Sequence, residues 1–280
     1  MAKRLTALLY ALASMTLSGI FEIVYRLAHK TGMHEGTYMV TQTGTVFLCL
    51  AAYSSSIGFA ISPALVLLAI VSGIVGMMTG WSHIYAIGRG PVAVTSSMRK
   101  LGFIVTALLA LIFLNETLNA QRVAGLLIAS AALLIIGWAP GAHNRPHPAI
   151  FISLVGVGVM TFFHKIAATA GTSITVFLMI QSGTAHIASH VACLQSGGYK
   201  PNKRLIGFAM LSGGMISLSM TFGMYALRHG DAIVIAPILQ LGFLIAAPVS
   251  FLLFKEPITQ HKLVGLSVGT LAIVLFATGG

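Results

Sequence analysis

Apolar residues run through this chain in ten long blocks, separated by charges, Pro/Gly breaks or short polar stretches. Such blocks far exceed the roughly ten-residue alternating strands of a membrane barrel. They match the ~20 residues a helix needs to cross a hydrocarbon layer about 30 Å thick. The pattern predicts helices near 5–28, 35–54, 63–87, 91–114, 120–139, 148–168, 171–194, 205–227, 231–254 and 260–279. Pro63 and Pro91 open helices, where a missing N–H costs nothing. Pro237 and Pro248 fall inside the ninth helix and are expected to kink it. The longest connections are 140–147 (PGAHNRPH), near the middle of the chain, and 195–204 (QSGGYKPNKR). Lys3 and Arg4 before Ala11-Leu12-Ala13 have the outline of a signal peptide. The segment has a counterpart in the second half of the chain, so it is read as a retained helix.

Composition agrees with the pattern. Hydrophobic residues make up 57% of the 280 and charged residues 8%, against about 25% charged in a soluble domain. Mean hydropathy is +0.94. With 16 basic and 5 acidic side chains, the chain cannot coat a globule in water. Soluble enzymes, nucleic-acid binders and disordered proteins are set aside, despite the net charge of +11. Ten spans of about 21 residues leave roughly 70 for the termini and nine loops, too few for a soluble domain. Cys49 and Cys193 lie in apolar stretches and form neither a CxxC pair nor a disulfide framework.

The chain resembles itself. Residues Tyr85–Pro140 align without a gap to Tyr225–Gly280, half a chain away. Tyr85-Ala86 then matches Tyr225-Ala226, Leu101-Gly102-Phe103 matches Leu241-Gly242-Phe243, Leu114-Asn115-Glu116 matches Phe254-Lys255-Glu256, and Gly125 matches Gly265. With one residue of slip, Gly19 matches Gly158, Arg26 matches Lys165, and Gln42-Thr43-Gly44 matches Gln181-Ser182-Gly183. Recurrent Gly and Leu could be chance in any hydrophobic chain; matched Gln, Glu and cation positions argue for duplication. The units are 1–140 and 148–280, joined by 141–147. Five helices per unit is an odd number, so the second copy enters the membrane from the opposite side. Inverted repeats about an axis in the membrane plane are the build of secondary transporters with a midplane site.

Two stretches, LNETLNAQRVAGLLIASAALLIIG and FKEPITQHKLVGLSVGTLAIVLFATG, resemble the paired EamA-type signature of the drug/metabolite transporter (DMT) superfamily. They carry an acidic residue at the end of the fourth helix (Glu116, Glu256) and a glycine near the start of the next (Gly125, Gly265). Tyr85-Ala86-Ile87 and Tyr225-Ala226-Leu227 resemble the aromatic-Ala-Leu end of the third helix. The chain departs from the repeat at Asp231, which stands where the first copy has Pro91, and at Pro257, where it has Thr117. The resemblance implies an all-α ten-helix fold with a central cavity lined by helices one, three, four, six, eight and nine. It also implies an exporter or exchanger of small metabolites.

Ionisable residues within spans cost about 2.5–3.5 kcal/mol each and normally face a cavity or a partner. Glu22 lies in the stripe Ser14–Ser18–Glu22–Arg26, every fourth residue and hence on one helix face. It reads either as an i,i+4 ion pair that locks the helix with Arg26, or as a protonatable coupling site. Arg99 and Lys100 lie near the middle of the fourth helix, one turn beyond Ser96. Their counterparts are Leu239 and Gln240, so the doublet breaks the repeat. In one reading Glu22 neutralises one of the two cations; in the other both face a cavity. His186, His190 and Ser182 share a face of the seventh helix, where polar packing or substrate contact is the reading and no metal is expected. His164-Lys165 reads as a membrane-edge pair with Lys165 snorkelling.

No GxSxG, HExxH or P-loop pattern supports an enzyme, and no cofactor or catalytic residue is expected. The expectation is a secondary active transporter that moves a small anionic or zwitterionic metabolite by alternating access. Arg99, Lys100, Ser96, Tyr85, Tyr225 and Gln240 are its candidate substrate contacts, and Glu22 and Arg26 its candidate coupling pair. A proton-coupled exporter of organic cations through Glu22 is the alternative; a membrane-embedded enzyme and a passive channel are further rivals. The partners expected are a small-molecule substrate and the lipid bilayer, with no nucleic acid, in a monomer or homodimer. The location is a plasma membrane, the inner one in a bacterium. Orientation is in conflict. Nine basic residues on the face opposite the N-terminus against five on its own side place the termini outside, whereas the resemblance implies termini inside.

Overall fold

A computed structural model describes residues 2–55, 61–87, 89, 92–137, 147–254 and 259–278. The helix start at Pro91, the residues Arg145, Lys255, Glu256, Pro257 and Gly280, and residues 141–146 of the connection lie outside the described residues. Among those described there are twelve helices and no strand. They are α1 (Ala2–His29), α2 (Glu35–Ser54), α3 (Pro63–Ile87), α4 (Val92–Lys100), α5 (Gly102–Phe113), α6 (Ala120–Gly137), α7 (Ala149–Thr169), α8 (Ile174–Gln195), α9 (Lys203–His229), α10 (Ala232–Gln240), α11 (Phe243–Phe254) and α12 (Gln260–Thr278). Among the described residues, eight stretches are long and apolar enough to cross a membrane, two of them the pairs α4–α5 and α10–α11. This is the architecture of a polytopic helical membrane protein. Strongly exposed Leu252, Leu194 and Ile187 form the kind of apolar outer surface that lipid covers.

Helix starts follow local chemistry. His34 accepts the Thr37 N–H ahead of α2, and Asn202 accepts those of Arg204 and Leu205 ahead of α9. Asn119 accepts the Arg122 N–H at the start of α6. Each satisfies donors that the first helical turn leaves free.

The fourth and ninth expected helices are each broken in two. The breaks lie at Leu101 and at Leu241–Gly242, where i→i+3 hydrogen bonds replace the helical pattern: Leu101 to Met98, Leu241 to Ile238. Pro237 and Pro248 sit inside α10 and α11 rather than at the break. The first break has no proline near it, so proline is not the cause that the two breaks share. Shared instead is a glycine, Gly102 or Gly242, packed onto another helix.

The tightest packing comes in pairs. A Cβ on Gly19 would strike the Gly242 carbonyl, and one on Gly158 the Gly102 carbonyl. A Cβ on Gly73 would strike the backbone of Gln181 and the side chain of Thr184; one on Gly213, the backbone of Gln42 and the side chain of Thr45. Gly125 leaves room for the Phe276 ring, and Gly265 for Ile136. Ser14 Oγ donates to the Ser219 carbonyl at 2.8 Å, and Ser153 Oγ to that of Thr79 at 3.0 Å. Matching residues within each pair are 139 or 140 positions apart. Helix contacts follow the same rule: α1 packs on α9 and α3 on α7, α2 on α9 and α3 on α8, α1 on α11 and α5 on α7. Helices α2 and α8 meet directly, as do α6 and α12.

Candidate functional site

Helix α1 contributes Glu22 and Tyr25, three residues apart and therefore on neighbouring parts of one face. Helix α3 contributes His83 and α4 contributes Arg99 and Lys100. The Glu22 carboxylate closes an ion pair with the Lys100 ammonium across α1 and α4. Lys100 is 7% exposed, and its Nζ lies 5.8 Å over the Phe243 ring. Glu22 therefore does neutralise one cation of the doublet. Its partner lies across the helix pair, while Arg26 holds its guanidinium 4.7 Å over the Phe254 ring.

Arg99 has a different environment. Its Nε is shielded from solvent and has no hydrogen-bond partner among the described residues. The same is true of Tyr25 Oη and His83 Nε2. Arg99 lies within electrostatic reach of both other groups: Tyr25 and Glu22 act on Arg99, and Arg99 and Lys100 act on His83. Tyr25 is held edge-on by Tyr38, centroids 5.4 Å apart, and by His29 at 4.9 Å. Buried donors and acceptors without partners cost about 1–3 kcal/mol each, so Arg99 Nε, Tyr25 Oη and His83 Nε2 are left with unmet hydrogen-bonding capacity. A guanidinium matches carboxylate or phosphate geometry.

Tyr25 and His83 escaped the sequence reading. Tyr25 follows Glu22 by three residues, and His83 interrupts an otherwise apolar helix; both signals were present in the sequence. Among the expected contacts, Ser96 is half-buried one turn before Arg99 on α4, and Gln240 is half-buried at the end of α10. Tyr85 turns away: it is 40% exposed, with the Arg89 guanidinium 3.6 Å over its ring and His147 edge-on at 5.1 Å. Tyr225 belongs to another group, stacked on Tyr10 at 5.3 Å. Tyr10 precedes Glu22 by twelve residues, about 18 Å along α1, so Tyr225 sits far from Arg99. The serines of the α1 stripe serve packing: Ser14 bonds Ser219 and Ser18 bonds the Ser14 carbonyl.

A second ionic group lies near the start of α10. Glu116 accepts the Ala232 and Ile233 N–H groups at 2.8 and 2.9 Å, so it caps that helix from the loop after α5. Lys165 lies 3.5 Å from the same carboxylate and donates to the Leu227 and Gly230 carbonyls at 3.0 and 2.7 Å. The expected snorkelling of Lys165 is thereby corrected, since its ammonium is tied into a buried junction. His164 is buried too and shares a 2.8 Å hydrogen bond with Gln181. Arg122 pairs with Asp231 at 2.6 Å, and Arg228 donates to the Ala168 and Thr172 carbonyls. Through these bonds the group holds helix ends together. The matched glutamines are structural as well: Gln42 donates to Ser212 at 2.8 Å and to Tyr38 at 3.2 Å.

His186 and His190 do share a face of α8, whereas Ser182 is buried and donates to the Met179 carbonyl. No group of three or more His, Cys, Asp or Glu side chains suited to a metal occurs among the described residues.

No family model matches the chain, and no curated protein matches it. A solved structure described only as "Crystal structure of protein" is similar over 100% of this chain and 99% of its own, with a TM-score of 0.74 and 14% identity. At that identity the likeness concerns the fold alone.

Proposed function

We propose that this protein is a secondary active transporter of small anionic or zwitterionic metabolites, working by alternating access in a plasma membrane. The observation that carries the reading is Arg99, whose Nε lies shielded and unpartnered beside two further unpartnered polar groups, Tyr25 Oη and His83 Nε2. With Lys100 matched by Glu22, the group retains one net positive charge. That balance favours a single carboxylate, alone or within a zwitterion, and opposes a lipophilic cation. Lys100 then fixes Glu22 and adds its field, while Arg99, Tyr25 and His83 supply the direct contacts.

The architecture proposed for it is ten spans in two inverted five-helix halves, as in the DMT superfamily that the EamA-like stretches resemble. Helices α2 and α8, 20 and 22 residues long, have the length of a span and are the two additional crossings. The packing described above supports the duplication, since the close glycine contacts recur at a 139- or 140-residue interval. In inverted repeats the two copies can exchange conformations, which opens a midplane site to either side in turn. The breaks at Leu101 and Leu241–Gly242 are where such halves can flex. Glu22, which borders the guest position, is the proposed coupling carboxylate. Protonation of Glu22 leaves the Lys100 charge unmatched beside the guest position, so protonation of Glu22 and anion binding support each other.

The test is a thermal-shift screen of the purified protein against metabolite classes, because a ligand that binds the folded state raises its apparent stability. Carboxylates or amino acids that stabilise the wild type but not Arg99→Gln are the expected result. A response confined to lipophilic cations overturns the reading.

A further inference from the structure

We propose that His186 and His190 form a binding site for a divalent transition-metal ion of the zinc class, at the edge of the contact between α8 and α2 and separate from the Arg99 group. The two side chains are one helical turn apart, and their Nε2 atoms lie 3.3 Å from each other. A tetrahedral ion about 2.0–2.1 Å from each imidazole nitrogen holds the two nitrogens roughly 3.3 Å apart. The chelating separation is thus already present. The rings meet edge-on, centroids 4.6 Å apart and planes at 74°, and the hydrogen bond that the two Nε2 atoms share is the contact that a bound ion replaces.

The surroundings complete the argument. His186 Nδ1 lies 3.2 Å from Thr43 Oγ1 on α2. Contacts of this kind on one ring nitrogen orient a metal-binding histidine and leave the other as the ligand. Beside the pair is a cavity of about 490 Å³ between α2, α8 and the segment that follows α8, lined by Thr41, Thr45, Cys193 and Tyr199 among others. It leaves the other two positions of a tetrahedral ion to water or to an incoming ligand, one more than in a zinc site with three protein ligands. Imidazole nitrogen selects zinc, copper, nickel and cobalt over magnesium and calcium, which take oxygen ligands. His190 is five residues, about 8 Å, from the end of α8, so the ion enters from water at that face. Bound there, it staples one turn of α8 at its contact with α2.

The experiment uses the full-length protein without an affinity tag, in detergent, titrated with Zn²⁺ by calorimetry and followed by its thermal transition. One Zn²⁺ per chain and a rise in Tm are expected. His190→Gln and His186→Gln each weaken binding at least about tenfold, and Thr43→Val weakens it about tenfold through His186. His261→Gln, at the start of α12, leaves both readouts unchanged. His186 packs against Gly44, so if His186→Gln lowers the metal-free Tm, the variant at the exposed His190 decides. Wild-type affinity in His190→Gln, or no stoichiometric Zn²⁺ uptake by the wild type at micromolar concentration, overturns the proposal.

Discussion

Glu22 on α1 and Lys100 on α4 form an ion pair beside Arg99, whose own Nε has no partner among the described residues. Adjacent residues of one short helix thus hold two cations in different states, one matched by a carboxylate and one with an unpartnered Nε. The difference arises because successive helical side chains point about 100° apart, so a single carboxylate on α1 satisfies Lys100 and leaves Arg99 turned to a different neighbourhood.

Replacing Arg99 by Gln removes the charge that the proposed substrate meets while keeping a polar, though shorter, side chain. Substrate binding falls about 10- to 100-fold, the equivalent of a charge-assisted hydrogen bond, and Tm without ligand changes little because Nε makes no internal bond. Ligand-dependent thermal shift measures both. Unchanged affinity refutes the assignment.

Glu22→Gln leaves the Lys100 ammonium buried without its counter-charge. Breaking a buried pair costs about 3–5 kcal/mol, and the one-third exposure of Glu22 puts the expected loss below that range. Adding Lys100→Met to Glu22→Gln recovers part of it, a coupling that a double-mutant cycle reads directly. In transport, Glu22→Gln abolishes drive by a pH gradient while solute exchange continues. An unchanged pH dependence in vesicles returns Glu22 to a purely structural role.

Glu116→Ala removes the cap of α10 and the counter-charge of Lys165 together. Both side chains are about nine-tenths buried, so a loss of about 3–5 kcal/mol follows. Glu116→Gln retains one acceptor for the α10 N–H groups and loses less. Denaturation midpoints of the two variants, compared with Tyr85→Ala on the exposed end of α3, separate this junction from a general effect.

Gly158→Ala and Gly19→Ala insert a methyl group where another helix's backbone already lies. Overpacking of this kind costs about 1–3 kcal/mol. Equal penalties at the two positions are expected from the proposed duplication. A penalty at only one of them shows that the two contacts are not equivalent.

A reporter fused after Gly280 decides the orientation. A cytoplasmic signal is expected from the resemblance to the DMT superfamily, and an external signal sides with the charge count.

Helix positions were legible in the sequence to within about three residues because run length in apolar residues is a one-dimensional signal; α1, α3 and α12 fall almost where the blocks place them. The 139- or 140-residue spacing of the matched residues was legible for the same reason, as was the prominence of Glu22, Arg99 and Lys100, since charges stand out against an apolar background. Pairing was not. Whether Glu22 would meet Arg26, Arg99 or Lys100 depends on how α1 is rotated against α4. Whether Lys165 would reach the surface depends on where the Glu116 loop lands, and neither is written in local spacing. Tyr85 and Tyr225 match perfectly as sequence, yet one stacks on Arg89 at an exposed helix end and the other on Tyr10. The amino-acid sequence by itself determined the apolar helices, their order and the few charges that must find partners. Only the tertiary structure decided which partners those are, because an ion pair between helices depends on rotation and depth in three dimensions, and hydropathy records neither.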